Sequence, residues 1–576
     1  MTRTATAEAA NKPATPPKDK ERPKEGHRET IESIVVAFLL ALLVRGFAAE
    51  AFVIPTGSMA PTLMGRHKQA TCVECGEEFV VNAAEEVEGG TAVIGGLCSN
   101  CRFPNRLDDA PSFKGDRILV MKFPFDLPFL PGAGLPKRWD VIVFKYPENP
   151  EQNYIKRLVG LPDEELMVRG GDILTRPRGS DGPFRIERKP LGHQRAMQML
   201  VYDDAHRPRS LKGLPEWRRW TSESSTSWRE GPTGTFSVDV EAGGQADPAG
   251  WAVLRYRNII PDARQWEAIA QGQRIPHPPR ATLITDNYSY NTTIPSYGSP
   301  IPPHWVGDLT IESRLEVKSS AGLVRYRLVK GGVDHDCVLD LAKGEAQCFR
   351  NGRPIGPKVS SGIKAQGTHD VTFANVDGRL TLWVDGRTPF GDGVAYDDGA
   401  GTPPTPKAAD LTPVSIAGRD GAKVAISDLI LRRDIYYTQD PSGGSGSDYD
   451  GLWTLPSFNR DDPAQYSVDL FNLLADPGRF GTLTLREPRT YSISPDHYMM
   501  MGDNSPRSKD GRAWENRDRD WDPNERQSWE VPRAALIGKA FFVYWPHGKP
   551  FGPDIRITHD LRIPFRPYLE RMKWIR

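Results

Sequence analysis

A mainly β chain of several domains is predicted by three observations. At 576 residues the chain is too long for one ordinary domain, and about 150 residues per domain gives roughly three or four. It carries 54 Gly and 51 Pro, a share typical of β-rich, loop-rich structure. Short β-branched and aromatic stretches recur between these residues, such as "DRILVMKF" from Asp116, "DVIVFKY" from Asp140 and "YIKRLVG" from Tyr154, and they read as strands. The charges balance at 74 Lys+Arg against 74 Asp+Glu, so no global field exists to gather nucleic acid, and none is expected as a partner. The 6 Cys are too few for a disulfide scaffold.

In chain order, residues 1–30 are polar and Pro-containing and read as a disordered tail. Ile31 to Ala49 is mostly apolar, uninterrupted from Ile34 to Val44. Its length is near the roughly 20 residues a membrane helix needs, with Glu32 and Arg45 placed to snorkel at its ends. One transmembrane helix over 31–50 is therefore expected, with a cytoplasmic N-terminus and an exported remainder, because basic residues precede it. A cleavable signal peptide is the alternative, and Ala49-Glu50-Ala51 has the form of a cleavage site. The β-like segments 51–69, 106–184 and 485–550 form one discontinuous domain, interrupted at 70–105 and 185–484 and followed by an extension over 551–576. The longer interruption holds a β-sandwich pattern around 305–437, with hairpin signals such as "NVDGRLTLWVDGR" from Asn375. The sandwich pattern is followed by a Gly/Ser-rich linker from Pro441. A sandwich with its own core is expected to be removable, at about Gly250 to Gly443.

Ser58 lies in "IPTGSMAPTL", where Pro55, Gly57 and Pro61 disfavour regular structure and place the serine in a fixed turn. A serine hydroxyl needs a base to become nucleophilic, and no motif among the 11 His suggests one. Lys156 lies in a largely apolar strand, where desolvation favours the neutral amine. These segments, with "RWDVIVFKYPENPEQNYIKRLVGLPDE" from Arg138, "MMGDNSPRSKDGR" from Met500 and "LIGKAFFVYW" from Leu536, occur in an order that resembles the bacterial type I signal peptidases, membrane-bound Ser/Lys endopeptidases. The resemblance implies a signal-peptidase-type β catalytic domain with Ser58 as nucleophile and Lys156 as general base. It makes Ser508 the serine that orients the lysine amine, and Thr56 an oxyanion-hole residue together with the amide of Ser58. Asp510 and Arg512 match a buried ion pair, Gly502, Asp503 and Asn504 a positioning turn, and Arg157 follows the lysine in the same motif. Phe52, Ile54, Met59, Tyr154 and Ile155 match residues lining pockets for small substrate side chains. The chain departs from the family pattern at Ser505, Gly511 and Asp163. The implied partners are preproteins emerging from the export translocon and the lipid bilayer. The implied location is the bacterial inner membrane, single-pass, with the catalytic domain on its outer face and no cofactor for catalysis.

Cys72 and Cys75, then Cys98 and Cys101, form two CxxC pairs whose spacing is close to that of a zinc ribbon. A structural zinc is expected, with two disulfides as the alternative. No Lys or Arg lies between Cys75 and Cys98, which disfavours a nucleic-acid-binding ribbon. Cys337 and Cys348 flank a four-residue hairpin loop that would set them on facing strands, either bonded or as free thiols. The sandwich weakly resembles laminin-G and concanavalin-like folds, which implies a glycan or protein ligand. A surface-anchored binding protein built on a peptidase scaffold is the rival reading.

Overall fold

The computed structural model describes residues 27–43, 49–88, 90–122, 134–223, 228–232, 234–240, 247, 249–275, 277–294, 304–363, 366–397, 403–440, 448–450, 463–514, 528–546, 548–558 and 561–576. The expected tail up to 26, the end of the apolar segment at 44–48 and most of the linker after Pro441 lie outside them. The chain divides into two compact units, Met1–Glu50 and Ala51–Arg576. In the first, helix His27–Leu43 has 17 residues, and Ile31, Ile34, Val35, Val36, Phe38, Leu39 and Leu40 are all exposed. Among the described residues no helix is long and apolar enough to cross a membrane.

The second unit is built from sheets. One of its sheets runs in the order Ala49–Val53, Arg117–Met121, Leu536–Trp545, Val141–Tyr146, Asn149–Gly160, His497–Met501, Glu530–Pro532. Strands from both ends of the chain thus lie side by side. Within Val141–Tyr146 the first four residues read as a continuous apolar run because they are central and buried, while Lys145 is exposed. Asn149–Gly160 begins exposed and ends buried, which carries Lys156 and Arg157 from solvent into the core. The segment from 568 folds back on this sheet: Lys573–Trp574 pairs with Phe542 and Val543, so the extension is part of the domain.

The interruption at 185–484 is larger in structure than its central pattern suggested. Two antiparallel sheets, of eight and seven strands among the described residues, enclose one core that includes Leu254, Ile311, Tyr326, Phe373, Ile416 and Ile426. The expected strands between 305 and 437 are present. They are joined by Met199–Asp203, Trp220–Ser222, Trp228–Glu230, Phe236–Asp239 and Ala252–Tyr256, segments too short to show a clear alternation in sequence. Cys337 faces Cys348 in register, and both are buried, unbonded thiols.

This body is welded to the catalytic domain. Tyr437 donates its backbone N–H to Gly171 O, and Ile435 and Tyr437 share a core with Val159, Leu166 and Met499. The expectation of an excisable insertion is therefore corrected. Deleting Gly250 to Gly443 would strip partners from four retained strands and remove the catalytic domain's own packing surface. We expect that variant to be aggregated by size-exclusion chromatography, and a monomeric, cooperatively melting product would contradict this packing.

Candidate active site

Ser58 sits in a one-turn 3₁₀ segment, Gly57–Met59, whose only fully buried side chain is Met59. Pro55 and Pro61 bracket it, and Leu63 anchors the loop below through the core of Ile54, Val141 and Val143. The amine of Lys156 is 2.8 Å from Ser58 Oγ and also donates to the carbonyl of Ile155 at 3.0 Å. Ile142 faces Lys156 in the adjoining strand, and the lysine is 4% exposed. Burial lowers its pKa from 10.5 to about 8, opposed by Asp510 and Asp503 and reinforced by Arg512. The amine is thus within reach of the neutral form near neutral pH, as a base must be.

Two buried ion pairs hold this dyad. Arg157 makes a two-pronged contact with Asp503, Nε to Oδ1 at 2.7 Å and Nη2 to Oδ2 at 2.6 Å, and both side chains are fully buried. The guanidinium is completed by the Trp139 carbonyl at 2.6 Å, the Arg576 carbonyl at 3.1 Å and Thr62 Oγ1 at 3.2 Å. Arg512 pairs with Asp510 in the same way, at 2.9 and 2.6 Å. Asp510 also accepts the Gly502 N–H at 3.0 Å. Gly502 has to lack a side chain, since a Cβ there would lie 2.2 Å from Ser508 Oγ and 2.4 Å from Ser58 O.

The other expected residues divide. Asn504 donates its backbone N–H to Ser58 O at 3.0 Å and its side-chain Nδ2 to Gly57 O at 3.1 Å. Ser508 lies beside Gly502 but does not bond Lys156: its hydroxyl is buried with no partner among the described residues, because the amine is directed to Ser58 and Ile155. Thr56 is exposed at the start of the turn and its side chain makes no cap. Of the expected pocket residues, Ile54 and Met59 are buried in the core, while Phe52 and Ile155 are partly open beside it. Tyr154 stacks on Tyr146 with ring centres 4.3 Å apart.

Sequence reading missed the insertion's share in this site. Thr438 donates its N–H to Ser505 Oγ at 2.8 Å, Arg512 reaches the Thr438 carbonyl at 2.6 Å, and Tyr437 donates to Asp503 at 3.3 Å. Tyr290 lies against Gly57, where a Cβ would come within 2.4 Å of its ring. Asn291 meets Asn504. No motif marks these residues, and only their distant fold partners reveal them.

The four cysteines of the CxxC pairs converge. Cys72 and Cys101 sulfurs are 3.7 Å apart and those of Cys75 and Cys98 3.5 Å, with all four within 4.8 Å of one another. A disulfide needs about 2.05 Å, whereas the edge of a tetrahedron with metal–sulfur bonds of about 2.3 Å is about 3.8 Å. Asn105 Nδ2 and the Asn100 N–H donate to two of the sulfurs, as groups around a thiolate site do. The donor set and its spacing fit a tetrathiolate centre.

Residues 92–205 and 469–545 match the family described as "Signal peptidase, peptidase S26". Those stretches contain Lys156, Asp503 and Arg512, and Ser58 joins them through the geometry above. The signal peptidase I of Pseudomonas fluorescens is 29% identical over 192 residues, covering 30% of this chain and 50% of that protein. That of Pseudomonas aeruginosa is 32% identical over 135 residues, 23% of this chain and 32% of that protein. The chain spans half or less of the length of these curated relatives. A carbohydrate binding module from Bacillus subtilis aligns over 37% of this chain and 96% of its own, at 12% identity and a TM-score of 0.22, too low to establish a shared fold. The discontinuous core is similar to the type I signal peptidases over these stretches.

Removing one partner of a buried ion pair leaves the other charge uncompensated. Asp503→Ala is therefore expected to lower unfolding stability by about 3–5 kcal/mol, read from the urea midpoint. An unchanged midpoint would show that Arg157 is satisfied without it.

Proposed function

We propose that the protein is a membrane-bound serine endopeptidase that removes signal peptides from exported preproteins. The observation that carries this reading is the buried Lys156 amine 2.8 Å from the Ser58 hydroxyl. In the proposed reaction the neutral amine takes the Ser58 proton as Oγ attacks the scissile carbonyl carbon. The Ser58 N–H and Thr56 receive the developing oxyanion. Collapse breaks the peptide C–N bond, and Lys156 returns the proton to the leaving amine. A water molecule, deprotonated by the same lysine, then hydrolyses the acyl-enzyme and restores Ser58. Phe52 and Ile155, half-buried against the core that holds Met59, would contact small side chains before the cut. The exposed apolar side chains of His27–Leu43 support membrane attachment, with the catalytic unit on the outer face of a bacterial inner membrane. Cys72, Cys75, Cys98 and Cys101 would hold one zinc in a structural role, since four thiolates leave no position for substrate.

Cleavage of a preprotein by purified protein, mapped by mass spectrometry, tests the reading. Ser58→Ala and Lys156→Ala should each lower the rate on the order of 10⁴-fold or more, with the double variant no worse. Lys156→Arg should fail equally, because guanidinium stays protonated. The rate should rise with pH through about 8, as the charged amine that dominates below that value gives way to the neutral base. Near-normal turnover by Lys156→Arg would overturn the dyad. Metal analysis should find one zinc per chain, lost in Cys98→Ser, and both CxxC pairs recovered as disulfides would exclude it.

A further inference from the structure

The insertion reaches the nucleophile loop through the turn Ser289–Asn291, whose Tyr290 lies against Gly57. That turn is fixed from the CxxC side: Arg102 donates to Ser289 Oγ at 2.9 Å, and Thr293 and Ile294 pair with Gly96 and Gly95. The carboxamides of Asn291 and Asn504 face each other and exchange two hydrogen bonds. Asn291 Nδ2 donates to Asn504 Oδ1 at 2.8 Å, and Asn504 Nδ2 donates to Asn291 Oδ1 at 2.9 Å. The same Asn504 Nδ2 donates to Gly57 O at 3.1 Å, which decides which end of that amide carries nitrogen, since its oxygen could not face a carbonyl.

Gly57 C=O and Ser58 N–H belong to one planar peptide and point in opposite directions. Whatever fixes the carbonyl therefore fixes the N–H. The backbone N–H of Asn504 on Ser58 O and the ring of Tyr290 over Gly57 restrain the same short stretch.

We infer that Asn291, supplied by the insertion, is a positioning residue for acyl transfer. It locks the Asn504 carboxamide, Asn504 sets the plane of the Gly57–Ser58 peptide, and that plane aims the Ser58 N–H at the oxyanion. This rests on the peptidase reading and adds to it that the insertion completes the catalytic machinery.

Steady-state cleavage of a fluorogenic signal-peptide substrate by the full chain tests it, with wild type and Ser58→Ala as brackets. Asn291→Ala should lower kcat about ten-fold, less than the 10²–10³-fold of losing an oxyanion donor outright, with KM within about two-fold. Asn291→Asp keeps the volume and can accept but not donate, so it should fall comparably. It also keeps the test usable if the alanine variant melts early. In an Asn504→Ala background, Asn291→Ala should cost nothing further, since both act through one contact. The pH midpoint near 8 should stay where it is, because the base is untouched. An unchanged kcat in both variants, a further loss in the Asn504→Ala background, or a shifted midpoint would each overturn the inference. Wild type that does not cleave would remove the peptidase reading and this inference with it, whereas a cleaving wild type beside unimpaired Asn291 variants would remove the inference alone.

Discussion

The contact between Arg157 and Asp503 is the constraint on which the rest of the site depends. Arg157 follows the basic lysine in its strand, and Asp503 lies in the turn whose next residue grips the nucleophile's carbonyl. Joining these two residues fixes base and nucleophile relative to each other without either being a member of the pair. The two parallel contacts satisfy both carboxylate oxygens, and Thr62, Trp139 and Tyr437 fill the remaining valences. Such completeness is what a charge pair needs when it gives up all contact with water. The neighbouring lysine stays outside this pair, and burial outweighs the opposing pull of Asp510 and Asp503 to depress its basicity.

The positions that depart from the family pattern are explained by the insertion and by local backbone. Ser505 is small enough to admit Thr438, and its hydroxyl joins that segment to Arg512. Gly511 stands where a Cβ would press within 2.7 Å of the Trp529 carbonyl. Asp163 has φ +61°, a left-handed conformation that glycine adopts freely and that aspartate tolerates better than most residues. Ser505 and Gly511 thus fit their tertiary surroundings, whereas Asp163 is tolerated at a backbone position that glycine adopts more freely.

Much of the catalytic centre was legible because its residues sit in short contiguous motifs with strong chemical preferences. A serine among prolines and glycines, a lysine in an apolar strand and two CxxC pairs announce themselves. The ends of the sandwich did not, because Trp220–Ser222 and Trp228–Glu230 are three residues each and show no periodicity. The role expected for Ser508 reached only proximity, since a hydrogen bond depends on a rotamer that sequence does not encode. Asn291 was invisible for a different reason. Its partner is 213 positions away, and a carboxamide pair leaves no local pattern.

The nucleophile loop near the start of the chain is held by Asn504 across 447 positions. At ribosomal speeds of roughly 5–20 residues per second, that stretch takes roughly 20–90 s to emerge. Ser58 is therefore made long before Asn504 can grip its loop, while closing so wide a loop is entropically no more than modestly costlier than closing a short one. The proposed peptidase consequently emerges with its nucleophile loop only partly held, and the loop's last hydrogen bonds form when the last third of the chain folds back onto its first.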